Sequence, residues 1–294
     1  MRIAVTGTTG RVGAALARHL AARHEVIPLP RGICDLADTD SLTAALDSLD
    51  CDVFLNPAGL TGLEACEDDP RLAMRINSAA PGKIALWAAS RGVRVIHFST
   101  DYVFGGENTA LLTEQAAPHP LSVYGRSKLA GEKAVLAHPG NLVVRVSWVF
   151  GPEKPSFIDQ TFHNALAGRH LEAIADKYSL PVFTTDLATW METLIEQKTE
   201  GILHACNPGT PVSWHGMAQV VVAEMVAAGI IDPLPEIAEQ KLENVKAFRA
   251  VRPRFTAMDT ARLAMETGLT LRPWPEAIKA YVRECCASFR ENHP

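Results

Sequence analysis

The first constraints come from what this chain does not contain. Its six cysteines, at positions 34, 51, 66, 206, 285 and 286, form no Cys-x-x-Cys pair. That removes the spacing of a zinc ribbon, of a thioredoxin-type redox centre and of a disulfide framework. The adjacent Cys285 and Cys286 read as helix packing. Charge of one sign is not in excess: 28 lysines and arginines stand against 33 aspartates and glutamates, a net charge of −5, so neither nucleic acid nor an anionic membrane is an expected partner. Long hydrophobic runs are missing too. The most apolar window, 217–231, is too short to span a bilayer and carries Glu224. No internal repeat or low-complexity segment interrupts the pattern. A strand begins almost at once, so no signal peptide is expected and the protein is expected to be soluble and cytoplasmic. A chain of 294 residues is long enough to bury a large core in one or two domains.

Two stretches carry the chemistry. The opening residues MRIAVTGTTGRVGAALARHL give a short apolar strand at 3–5, then Gly7, Gly10 and Gly13, then an apolar stripe of Val12, Leu16 and Leu20 at helical spacing. Strand, glycine turn and helix together form the context in which such glycines bind a dinucleotide. They allow the backbone to approach a pyrophosphate, and the helix start offers free N–H groups and a favourable dipole. The second stretch, Ser99 to Glu132, closes an apolar run (93–98) with Ser99 and Thr100 and ends in Tyr124 and Lys128. In a helix these last two side chains share one face. An ammonium beside a phenol is expected to lower the phenol's pKa from its usual value of about 10 toward working pH, as general acid–base chemistry requires. In isolation the same spacing also fits the exposed face of an amphipathic helix.

With both stretches in view, the sequence resembles the extended short-chain dehydrogenase/reductase family, and within it the dTDP-4-dehydrorhamnose reductases. The segments GTTGRVG, NPAGLTGLEACEDDP, FSTDYVFGG, YGRSKLAGE, VVRVSWVFG, DKYSLPVFTTDLA and RPRFTAMDTARL carry the likeness from residue 7 to residue 263. It implies an α/β, doubly wound parallel sheet of Rossmann type with a smaller C-terminal substrate-binding lobe. Residues 1–150 would bind the dinucleotide, with the sheet completed by about 186–206, and residues 151–294 would mainly form the lobe. It also implies NAD(P)H-dependent reduction of a 4-keto nucleotide sugar, with Thr100, Tyr124 and Lys128 as the catalytic residues and Tyr124 as proton donor.

Cofactor contacts implied by the likeness fall on Gly7, Thr9, Gly10, Arg11, Val12 and Gly13, on Asp35 and Leu36 at the adenine, on Ala58 and Gly59, and on Ser99, Tyr124 and Lys128. Substrate contacts fall on Thr61, Tyr102, Trp148 and Arg252, with Glu64 nearby. Asn77 reads as a structural hydrogen-bonding residue behind the catalytic strand. The second strand, 25–29, is followed by Pro30 and Arg31 where a carboxylate for the ribose is usual. Arg31 either is solvated or faces a 2′-phosphate, and the second reading makes NADPH the expected cofactor with NADH as the alternative. In relatives that use Mg²⁺, glutamates hold it at a dimer contact, one of them in the first helix. The stretch Val12-Gly13-Ala14-Ala15 has no carboxylate, so no metal is expected, whereas a homodimer remains a candidate assembly.

The pattern departs from the resembling enzymes at Leu60, Gly62, Phe255 and the loop Ser179-Leu180-Pro181-Val182. Single helices are expected over 41–49, 70–91, 157–167 and 274–289, and one strand over 143–149. A helix over 186–196 is expected to be capped by Asp186, with 201–206 returning to the sheet as an edge strand. Two other readings stay open: a related epimerase or natural-product ketoreductase, and a non-catalytic NADP-binding subunit like the beta subunit of methionine adenosyltransferase. A dehydratase is disfavoured because Tyr102, not Glu, follows Asp101.

Overall fold

The computed structural model describes residues 1–107 and 109–292. Strands β1 (Arg2–Thr6), β2 (Glu25–Leu29), β3 (Val53–Asn56), β4 (Arg94–Thr100) and β5 (Leu142–Val146) build one parallel sheet with Gly201–Ala205. From one edge the order is Gly201–Ala205, β5, β4, β3, β1, β2. Sequences such as Val-Phe-Leu-Asn in β3 and Leu-Val-Val-Arg-Val in β5 are apolar at all but one position because helices cover both faces of the sheet. Alternation sorts them: Ile3, Val5, Leu55, Phe98 and Val144 enter one core, and Ala4, Phe54, Val95 and Val143 enter the other. Helix α1 (Arg11–Leu20) packs on the first side beside the helix Thr184–Glu196, and α2 (Thr39–Asp47) and Ala80–Ala89 pack on the second.

From β1 the chain moves outward to β2 and then returns past β1 to β3. The order of the strands reverses between β1 and β3, and such a switch point opens a crevice at the strands' carboxyl ends. The remaining chain forms a lobe over that end. It contains the helices Phe157–Leu166, Trp214–Ala227 and Trp274–Asn292, with short pairings of Leu171–Ile174 to Ile237–Gln240 and of Tyr178–Ser179 to Val212–Ser213. Among the described residues no helix is long and apolar enough to cross a membrane.

Local structure departs from the sequence expectation in three places that matter to the site. The run 70–91 is not one regular helix: Pro70–Met74 passes through a π-turn at Arg75–Ala79 before Ala80–Ala89. The wider turn holds Asn77, fully buried, and π-turns of this kind cluster at functional sites. The strand over 143–149 is two pieces, because Trp148 has φ of 40° and turns the chain before Val149–Phe150 pairs with Val182–Phe183. The helix after 183 starts at Thr184, so Asp186 lies inside its first turn instead of capping it. There the Asp186 carboxylate accepts from Asn207 Nδ2 at 2.7 Å and faces Arg272 at 3.4 Å.

Candidate active site

A cleft of about 590 Å³ runs along the carboxyl ends of β1, β3, β4 and β5. Gly7, Thr9, Gly10, Arg11, Val12 and Gly13 form one wall. Gly7 has φ of 60°, a left-handed conformation that costs a residue with a Cβ, and an added Cβ would also meet Ala58 at 3.1 Å. Gly13 is tighter still, since its Cβ would stand 2.2 Å from the Gly7 carbonyl oxygen. The glycines therefore press α1 against the turn. No side chain caps α1, and its first turn has no acidic residue, so its N–H groups and dipole face the cleft ready for an anion. The residues thus fit a dinucleotide pyrophosphate. Arg11 ties this loop to the lobe by donating to the carbonyls of Lys154 (3.0 Å) and Pro155.

Arg31, Asp35 and Leu36 line the far end of the same cleft. The Asp35 carboxylate accepts from the Ala37 amide at 2.9 Å and from Arg31 Nε at 3.1 Å. The amide first, and the guanidinium after it, hold the carboxyl below its ordinary range. Ala58 and Gly59 form the opposite wall with Thr61. The Asn77 amide accepts from Leu60 N (2.8 Å) and donates to Leu60 O (2.9 Å) and Ser127 Oγ (3.0 Å). It pins the 59–60 turn to the helix Val123–Leu136, which is structural work.

That helix is started by Ser122, whose hydroxyl accepts from the Gly125 amide, and it brings Tyr124 and Lys128 to the floor of the cleft with Ser99 and Thr100. Lys128 is 4 % exposed. Its Nζ donates to the Phe98 carbonyl at 2.5 Å and stands 3.3 Å from His97 Nε2. Burial pushes its pKa down to about 8, partly offset by Glu132. The phenol differs from the sequence expectation. Burial pushes Tyr124 up, the Thr100 hydroxyl offsets this, and Lys128 is not among the groups that act on it. Desolvation dominates, and Tyr124 stays a protonated phenol at neutral pH.

The other side of the cleft is built from distant segments. Tyr102 meets Tyr124 edge to face at 5.9 Å, and Trp148 meets Trp214 in the same manner at 5.7 Å. The Trp148 indole N–H is buried with no hydrogen-bond partner among the described residues. Behind the aromatics, Asp101 is 2 % exposed, and its Oδ2 accepts from the hydroxyls of Ser147, Ser179 and Thr256 while Oδ1 accepts from Thr100 Oγ1 at 3.1 Å. Lys177 is fully buried, donates to Pro253 O at 2.9 Å and lies over the rings of Tyr102 (4.9 Å) and Trp148 (5.4 Å). Burial pushes it down to about 8, with Asp101 opposing.

The structure thus gathers every expected cofactor residue, the three catalytic ones, and Thr61, Tyr102 and Trp148 into one cleft. Arg252 is the exception: it lines a smaller neighbouring cavity, paired to Glu64 at 3.0 Å and stacked on Phe248. Sequence reasoning passed over Lys177, Trp214 and Lys154. A single lysine in Asp-Lys-Tyr-Ser looks like surface, and Trp214 opens an apolar helix like any core residue.

The model of the family described as RmlD substrate binding domain matches residues 1–286. The chain belongs to that family. Membership makes it an oxidoreductase of the short-chain dehydrogenase/reductase type. Within the family it is similar to the dTDP-4-dehydrorhamnose reductase of Mycolicibacterium smegmatis, 35% identical over 95% of this chain and 84% of that protein. Among solved structures it is similar to a dTDP-4-dehydrorhamnose reductase of Clostridium acetobutylicum, with a TM-score of 0.87 and 29% identity over 97% of this chain and 99% of the other. It also shares its fold with the Bacillus anthracis dTDP-4-dehydrorhamnose reductase solved in complex with NADP, with a TM-score of 0.88 and 24% identity over 96% and 99% of the two chains.

Proposed function

We propose that this protein reduces the 4-keto group of a nucleotide sugar, a dTDP sugar first among the candidates, using NADPH or, less effectively, NADH. The observation that carries the reading is a buried, protonated Tyr124 beside Thr100 on the floor of a cleft whose other wall is a glycine loop at a helix start. The relatives' names support the choice of substrate. A reduced nicotinamide held in this cleft would supply the hydride for the carbonyl carbon. Tyr124 gives its proton to the alkoxide oxygen that forms, a task for which a phenol kept in its acid form is suited. Thr100 accepts from the Tyr102 amide at 3.2 Å and donates to Asp101. That fixes its oxygen beside the phenol. Lys128, anchored on the Phe98 carbonyl, would present its positive charge to the ribose side of the cofactor.

Gly7 to Gly13 would hold the pyrophosphate and Asp35 and Leu36 the adenosine. A 2′-phosphate would compete with Asp35 for Arg31, which supports NADPH. Tyr102, Trp148 and Trp214 provide flat apolar faces for the sugar, with the unpartnered Trp148 N–H as a donor for one of its oxygens. The test is nicotinamide oxidation against a panel of dTDP-, GDP- and UDP-4-keto sugars. Turnover with a dTDP-4-keto sugar is expected. Tight cofactor binding with no reduction anywhere in the panel would move the non-catalytic subunit reading ahead.

A further inference from the structure

At the end of α1 opposite the glycine loop, His24 sits against the last turns of the helix Thr184–Glu196. Its side chain is only 8% exposed, yet neither ring nitrogen has a hydrogen-bond partner among the described residues. The buried Glu192 Oε1 has none either. His24 Nε2 and Glu192 Oε1 are 3.6 Å apart, too far for a good hydrogen bond. That is the spacing of two ligands on one tetrahedral ion, about 3.3–3.6 Å when each metal bond is about 2.0–2.2 Å. Glu196 lies one turn beyond Glu192 on the same helix face, and the three residues' ligand atoms are within 4.8 Å of one another.

We propose that His24, Glu192 and Glu196 form a binding site for a zinc-class divalent ion, with water completing the shell from the exposed Glu196 side. His19 is the positioning residue. Its Nε2 is 3.0 Å from Glu192 Oε2, which fixes the carboxylate and leaves Oε1 for the ion, as outer-shell partners commonly do. One imidazole with two carboxylates favours Zn²⁺ over Mg²⁺. Arg23 is the competing cation, 3.7 Å from the same oxygen, but its side chain is 68% exposed and can turn into solvent. None of these residues lines the catalytic cleft, so the site is independent of the proposed reduction.

The test is titration of the chelator-stripped full-length protein with ZnCl₂ by calorimetry, with Co²⁺ absorption as the spectroscopic reading of the ligand set. One Zn²⁺ per chain and a rise in melting temperature with Zn²⁺ are expected, with no comparable response to Mg²⁺. His24→Ala should weaken binding about 100-fold, and His19→Ala and Glu196→Gln about tenfold each. Arg23→Ala should tighten it. Far-UV spectra of the metal-free variants check folding, and the exposed Glu196→Gln provides a reading even where His24→Ala is unstable. No saturable Zn²⁺ uptake, or uptake unchanged by both His24→Ala and Glu196→Gln, would overturn the site.

Discussion

The two halves of the cleft are made in different ways. The half proposed for the cofactor's pyrophosphate is backbone: a turn of glycines, an uncapped helix start and the Ala58-Gly59 edge, all within the first 60 residues. The other half, proposed for the substrate, is side chains: Tyr102 just after β4, Trp148 at its left-handed turn and Trp214 at the start of its helix, with the buried Lys177 behind the rings. A backbone site needs particular residues to be absent, which leaves glycine as the signature. A side-chain site needs particular residues brought together, and leaves only scattered aromatics and charges.

Lys128→Met is expected to break both halves at once. Losing the ammonium should lower turnover by about 10² to 10⁴, and losing a charged hydrogen-bond donor should weaken NADPH by about tenfold to a hundredfold; cofactor titration with single-turnover rates would show both. Gly13→Ala strikes the backbone half alone. Its Cβ would collide with the Gly7 carbonyl at 2.2 Å, so a loss of about 1–3 kcal/mol in stability, read as a fall in denaturation midpoint, should accompany weaker cofactor binding.

The pH profile sharpens the contrast within the catalytic group. Lys128 titrates near 8 and is charged below that value and neutral above it, whereas Tyr124 is pushed upward and stays protonated. The rate should therefore fall as pH rises through about 8, before any loss of the phenol proton, and a rate flat to pH 10 would contradict it. The smallest effect belongs to Arg31→Ala. Its guanidinium is 80% exposed, so screening keeps its contribution modest. The ratio of kcat/KM for NADPH over NADH should fall only severalfold.

The sequence made the sheet legible because its strands are short, apolar and separated by periodic helices, down to the return of Gly201–Ala205 at the edge. It could not show the π-turn around Asn77 or the break at Trp148, since both are set by tertiary contacts at the site: Asn77 grips Leu60 and Ser127, and Trp148 packs on Trp214. The Tyr124–Lys128 pair was visible as a spacing, but the sign of its electrostatics was not. Spacing counts charges along a helix, and burial, which spacing does not report, decides the phenol. Lys177 was hidden for the same reason. Nothing in its neighbours in sequence reveals that Tyr102, Trp148 and Pro253 enclose it.

The central claim is that Tyr124 gives the proton while the glycine half holds the cofactor independently of it. The most direct measurement pairs NADPH titration with turnover on the best 4-keto sugar, using the unmodified protein and Tyr124→Phe, which removes only the hydroxyl. The account predicts unchanged NADPH affinity and a rate lowered by about 10² to 10⁴. A Tyr124→Phe protein that turns over like the unmodified one would contradict it.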